Sequence, residues 1–221
     1  MLAVCLIAAA YLCGSLPTGV WLGRLAGVDV RRAGSGNIGA TNVARTAGLR
    51  PALLTLTGDI AKGFVPAAIA RVLLADARLI ALVALAAFFG HIFSVFLLFS
   101  GGKGVATGFG VFLALAPGAA LLAGLVFAAV AVATRYVSLA SVLAAASLPV
   151  ATVALGTTPS VRIAALIICA AIVFRHRDNL SRLRRGVEPR FQRKLLASGC
   201  ASKRVRRRGC FSHRRTGEAS A

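Results

Sequence analysis

The sequence predicts an all-α, polytopic membrane protein with about seven transmembrane helices, some of them short or broken. Three observations carry this. Hydrophobic residues make up 58% of the 221, and the mean hydropathy is +0.82. Only 14% of residues are charged, against roughly 25% in soluble domains. Apolar runs recur along the chain, separated by loops of glycine, proline and cations. A disordered or soluble basic protein with the same formal charge of +20 would be far less apolar.

The apolar segments lie at about 2–23, 51–74, 79–99, 105–116, 119–133, 139–155 and 161–174, lengths to be set against the roughly 20 residues that span a bilayer. No Lys or Arg precedes Arg24, so the first segment reads as a span and not as a secretory leader, which opens with a basic region. The fourth, fifth and seventh segments are short, and short segments need neighbours to shield their ends. Pro117-Gly118 and the stretch from Gly156 to Ser160 are turn signals between segments. From Arg175 onward there are 15 Lys+Arg against 3 Asp+Glu, which reads as a cytoplasmic end. With seven spans the N-terminus then faces out. Loop 24–50, with five arginines, and the loops holding Lys103 and Arg135 become cytoplasmic. The outer side keeps Arg71, Arg78 and Arg162. Residues 1–190 read as the membrane domain and 191–221 as a basic, disordered cytoplasmic tail. Nothing aromatic but Phe211 lies near its basic run, so a nucleic-acid partner is not expected. The five cysteines have no CxxC spacing, and neither a disulfide framework nor a zinc site is expected.

Three unusual segments fall on the same expected face. Arg31 to Arg45 combines glycines with small hydroxyl and amide side chains. Glycines let backbone N–H groups approach an oxyanion, and Ser, Thr and Asn add neutral donors. Phe99 to Thr107 sets glycines around Lys103, but Gly104 follows the lysine, so the GxxxxGK[ST] spacing of a nucleoside-triphosphate loop is absent. In Arg175 to Leu183, His176 and Asn179 share one helix face. The plain structural readings are a flexible interfacial loop, a lysine anchoring a helix end, and a cationic stop-transfer flank. Asp59 and Lys62, at i and i+3, read as a structural ion pair. His91 either bonds a carbonyl or lines a cavity, and Ser138 and Ser141 either face the same basin or pack a helix. No HExxH or GxSxG motif occurs. Six acids in all leave a magnesium site short of oxygen ligands. A cation-rich, acid-poor site suits anionic substrates without a metal or cofactor.

Together these segments resemble the bacterial acyl-phosphate:glycerol-3-phosphate acyltransferase family of integral membrane enzymes. The resemblance rests on Gly14 to Gly19, Gly34 to Asn42, Gly58-Asp59 with Lys62-Gly63, Gly90-His91, Gly101 to Thr107, Ser138 with Ser141, and Arg175-His176 through Asn179, Arg182, Gly186 and Glu188. Ser100 stands where the family pattern has a lysine, and Ser94 where it has a proline. The resemblance implies seven spans, a cytoplasmic site in the inner membrane, and acyl transfer from acyl phosphate to glycerol 3-phosphate. It also implies a soluble partner that forms the acyl phosphate. Ser35, Gly36, Asn37, Gly39, Ala40, Thr41 and Asn42 are then candidates to hold acyl phosphate. Arg45, Gly101, Gly102, Lys103, Ser141, His176 and Asn179 are candidates for glycerol 3-phosphate, and Ser35, Lys103 and His176 are the catalytic candidates. A transporter of a phosphorylated solute, or a structural anchor with a basic tail, are the competing classes. The first predicts flux without new lipid, and the second predicts no effect of changing Asn37 or Lys103.

Overall fold

The computed structural model describes residues 1–191; the basic run expected at 191–221 otherwise lies outside the described residues. Among the described residues there are ten α-helices, one 3₁₀ turn and no strand. The first apolar segment is broken into α1 (Leu2–Ser15) and α2 (Thr18–Leu25). Pro17 has no N–H to donate and pushes the residue before it out of helical geometry. Leu16 accordingly takes φ −56°, ψ 123°. The carbonyls left at this break find other partners: Lys62 donates to Leu16 O (2.9 Å) and Ser94 Oγ to Ser15 O (2.5 Å). Ser94, at a position where a proline was the expectation, is therefore a tie between two spans.

After the loop from Ala26 come α3 (Ala40–Thr46), α4 (Leu49–Leu73), α5 (Ala77–Ile92) and a 3₁₀ turn at Val95–Leu97. Then follow α6 (Val105–Leu115), α7 (Pro117–Thr134), α8 (Val137–Ala154), α9 (Pro159–Arg175) and α10 (Arg177–Arg184), which bends 55° away from α9. Five stretches are long and apolar enough to cross a membrane: Leu2–Leu25, Leu49–Leu73, Ala77–Leu97, α7 and α8. The bent pair α9 and α10 makes a sixth. At 11 residues, α6 reaches only about 16 Å and is the short member of the seven. The fifth segment is longer than expected. Pro117 does not end a turn but opens α7 at its first position, where a missing N–H costs nothing. The reversal falls on Ala116, at φ −150°, ψ 75°.

Small residues set the helix spacing. A Cβ on Gly63 would run into the backbone carbonyl of Thr107, and one on Gly110 into that of Ile60. So α4 and α6 touch backbone to backbone. Gly14 and Gly90 do the same for α1 and α5, against Ala87 and Tyr11. Close approach through small residues is how helices gain contact where lipid is as apolar as leucine. The core is correspondingly alanine-rich, with Phe88, Phe112, Ile168 and Ile172 as its bulk. Leu54, Leu82, Leu121, Leu125 and Leu166 point outward, toward the acyl chains.

Candidate active site

The loop before α3 turns through two left-handed glycines, Gly34 (φ +61°) and Gly36 (φ +71°). Asn42, on α3 and 2% exposed, staples it. Its Oδ1 accepts from Ser35 N–H (2.8 Å), and its Nδ2 donates to Val30 O (2.9 Å) and Ala33 O (3.1 Å). A side chain so engaged shapes the loop and has no donor left over, and Asn42 at the same time borders the cavity described below. The Gly36 N–H donates to Ala33 O (3.1 Å), and Gly36 does not line that cavity. Ser35, Asn37, Gly39, Ala40 and Thr41 do line it, together with Arg45. Arg45 Nη2 reaches Pro189 O at 3.5 Å.

The second segment also divides. Gly101 N–H donates to Ile92 O (3.0 Å) and Gly102 N–H to His91 O (3.1 Å). Arg175 in turn donates to Gly101 O (2.9 Å) and Gly102 O (3.2 Å). Both glycines are thus engaged in fixing the loop, and they lie off the cavity wall that Lys103 reaches. What they fix is Lys103, whose Nζ donates to Asn179 Oδ1. Burial draws the Lys103 pKa down to about 8, with Arg182 and Arg175 adding to that and Glu188 opposing it. Gly104 (φ +82°) opens α6 beside it.

In the third segment the bend between α9 and α10 presents His176. Its Nδ1 lies 2.8 Å from Ile172 O. A carbonyl only accepts, so a neutral ring carries its proton on Nδ1 and leaves the lone pair on Nε2. One turn on, Asn179 Nδ2 donates to Glu188 Oε1 (2.7 Å), and Arg182 Nε donates to Glu188 Oε2 (2.8 Å). Burial works against the Glu188 carboxylate, but these hydrogen bonds and the Arg182 charge hold its pKa below the ordinary value. The chain Lys103–Asn179–Glu188–Arg182 ties the second and third segments together. Glu188 lies beyond α10, and a lone acid after a basic helix carries no spacing signal that marks its partner.

All three segments border one cavity of about 910 Å³. Its polar end holds Arg45, Lys103, Ser138, Ser141, His176 and Asn179. Ser141 Oγ is bound to Val137 O (2.8 Å), whereas the buried Ser138 Oγ stands beside the Glu188 carboxylate, whose pKa it helps to lower, without a close hydrogen bond. From there the cavity continues as an apolar arm past Phe109, Ala123, Gly124, Phe127, Ala145 and Leu148, between α6, α7 and α8. The arm was not foreseen, since its residues read as ordinary lipid-span sequence. Asp59 and His91 also reach the cavity wall. Asp59 is paired with Lys62 at 2.8 Å, both about 4% exposed. It also accepts from Thr18 Oγ1 (2.5 Å), and His91 Nδ1 stands 3.7 Å away. The ion-pair reading holds, and His91 lines the cavity. Ser100 does not.

A deep cationic basin opening into an apolar slot matches an amphiphile with an anionic head. The family profile described as glycerol-3-phosphate acyltransferase matches residues 4–186. A glycerol-3-phosphate acyltransferase of Trichlorobacter lovleyi is 52% identical over 186 residues, covering 84% of this chain and 96% of its own. That of Geobacter sulfurreducens is 48% identical over 187 residues, covering 85% and 96%. Two crystal structures of PlsY (YgiH), an integral membrane glycerol 3-phosphate acyltransferase, superpose with TM-scores of 0.85 and 0.83 at 41% identity. They are its glycerol 3-phosphate and lysophosphatidic acid forms; the superpositions cover 89% of this chain and 99% and 100% of those chains.

Proposed function

The chain belongs to the glycerol-3-phosphate acyltransferase family, and from that premise we propose that it moves a fatty acyl group from acyl phosphate to the sn-1 hydroxyl of glycerol 3-phosphate. The products are lysophosphatidic acid and inorganic phosphate. One observation supports this best: a single cavity joins a cationic polar end to an apolar arm. Both substrates carry phosphate, and only one carries a fatty chain. The Ser35 to Thr41 stretch takes the donor's phosphate, where the N–H groups of Ala40 and Thr41 precede the first N–H of α3 bonded to Gly39 O. Arg45 and Lys103 take the phosphate of glycerol 3-phosphate, Arg as a fork and Lys as a point charge. Asn179, His176 and Ser141 orient its glycerol.

In the transfer, the sn-1 oxygen attacks the acyl carbonyl carbon. The new ester C–O bond forms as the carbonyl C–O bond to phosphate breaks. Acyl phosphate is already activated, so positioning and charge stabilisation by Lys103 and Arg45 supply most of the acceleration. The hydroxyl proton passes to a substrate phosphate oxygen, whose second pKa in related esters is near 6. His176 positions the glycerol by accepting through Nε2 from the hydroxyl that does not react, which leaves the sn-1 proton free to pass to phosphate. His176→Ala that binds both substrates normally but changes the shape of the pH–rate profile would move the proton to the imidazole.

The donor requires a separate enzyme that makes acyl phosphate. We place the polar end at the cytoplasmic side of the inner membrane, because the basic loops and the basic C-terminal end share that side. The deciding experiment incubates the purified protein with labelled glycerol 3-phosphate and palmitoyl phosphate, without nucleotide or metal, with palmitoyl-CoA as the control donor. Labelled lysophosphatidic acid from the acyl phosphate is expected. Product from the CoA thioester alone would overturn the donor.

A further inference from the structure

We infer that Gly124 sets the longest acyl chain this enzyme accepts, through its position opposite Phe109 in the apolar arm. The inference rests on the proposed acyl donor. The turn at Arg135–Tyr136 joins α7 to α8, so distances along both helices can be counted from it. Gly124 lies ten residues before Thr134, and Leu148 ten after Ser138. At about 1.5 Å per residue both stand about 15 Å from the polar end, which is half of the roughly 30 Å hydrocarbon core. The arm is therefore about as deep as one leaflet, the depth a long saturated chain occupies in the bilayer. Leu148 (4% exposed) and Ala123 (5%) line it at that depth.

Within that depth Gly124 is the one wall position on α7 with no side chain. Phe127, one turn nearer the polar end, and Ala123 flank it on the same wall. A Cβ built on Gly124 would meet the edge of the Phe109 ring at 3.3 Å from Cε2. The edge of the Phe109 ring thus rests against the bare backbone of Gly124, with no room for a side chain between them. Anything larger than glycine pushes the ring off α7 and into the part of the arm that the terminal methylenes would use. Because the neighbour is the edge of a ring and not backbone, the ring can move aside, and the helix is not forced apart.

The test is a competition. The full chain is reconstituted in liposomes with saturating glycerol 3-phosphate and an equimolar mixture of decanoyl and palmitoyl phosphate. The products are resolved by mass. A product ratio does not depend on how much of a variant folds. Gly124→Val is expected to lower the palmitoyl-to-decanoyl ratio at least about tenfold, since each methylene kept out of an apolar site loses about fourfold, the equivalent of about 0.8 kcal/mol. Phe109→Ala is expected to raise a stearoyl-to-palmitoyl ratio. Ratios unchanged in both variants would overturn the inference while leaving the transfer reaction standing. No acylation by wild type from either acyl phosphate would instead remove the donor assignment.

Discussion

Lys103 carries its charge at the edge of losing it. Burial brings its pKa to about 8, so the ammonium is present below that pH and lost above it. Glycerol 3-phosphate is already doubly ionised there, its second pKa being near 6. The value of kcat/KM reports the free enzyme and is expected to fall as pH rises through about 8. With the phosphate bound the ammonium is stabilised, and the fall in kcat is displaced to higher pH. Lys103→Arg, permanently charged, removes the fall, and pH–rate profiles of the two proteins check this. Asn42 belongs to a different kind of residue. Asn42→Ala strands three partners, one of them deeply buried, and is expected to cost roughly 2–4 kcal/mol of stability, read as a lower Tm in detergent. Neither distinction was legible beforehand. An asparagine in a glycine loop looks the same whether its amide faces a ligand or its own backbone, and only the fold decides that Val30 O and Ala33 O are in reach.

At the scale of elements, the apolar runs were legible because lipid leaves a chain few options: a spanning segment must satisfy its own backbone. The breaks were less so. Leu16-Pro17 sits inside an unbroken apolar stretch, and the residues that satisfy its freed carbonyls, Lys62 and Ser94, are distant in sequence. Pro117 looked like a stop and is a start. The contact between α4 and α6 is the tightest consequence of composition. Gly110→Val would put its side chain into the Ile60 carbonyl, and overpacking of this kind costs roughly 1–3 kcal/mol. Because α6 begins two residues after Lys103, the variant is expected to lose activity as well as Tm. Thermal unfolding and turnover of the same sample measure both.

For the whole molecule, the three glycine-bordered segments converge as their residue types suggested, on one basin at one end of the bundle. The apolar arm did not announce itself, and Glu188, one of the residues carrying the family resemblance, gave no sign of its partners. Phe109 and Gly124 differ in no way from lipid-facing sequence, and Glu188 gains its meaning only when α10 bends back. On a cysteine-free background, Ser35→Cys and Arg184→Cys are expected to react with an impermeant maleimide from the cytoplasmic side. Arg78→Cys, in the first turn of α5, is expected to react from the opposite side. Reaction of Ser35→Cys and Arg184→Cys from different sides would contradict the single basin.

The backbone contact between α4 and α6 divides the cavity into unequal halves. The backbones of α4 and α6 are pinned where Gly63 and Gly110 leave no atom to remove, so on that side only a side chain such as Phe109 can give. The apolar wall on α7 and α8 is built from Ala123, Gly124, Phe127, Ala145 and Leu148, positions that can be exchanged one at a time. Retooling this catalyst for branched or shortened tails should therefore proceed from that adjustable wall, with the phosphate grip at its mouth left untouched.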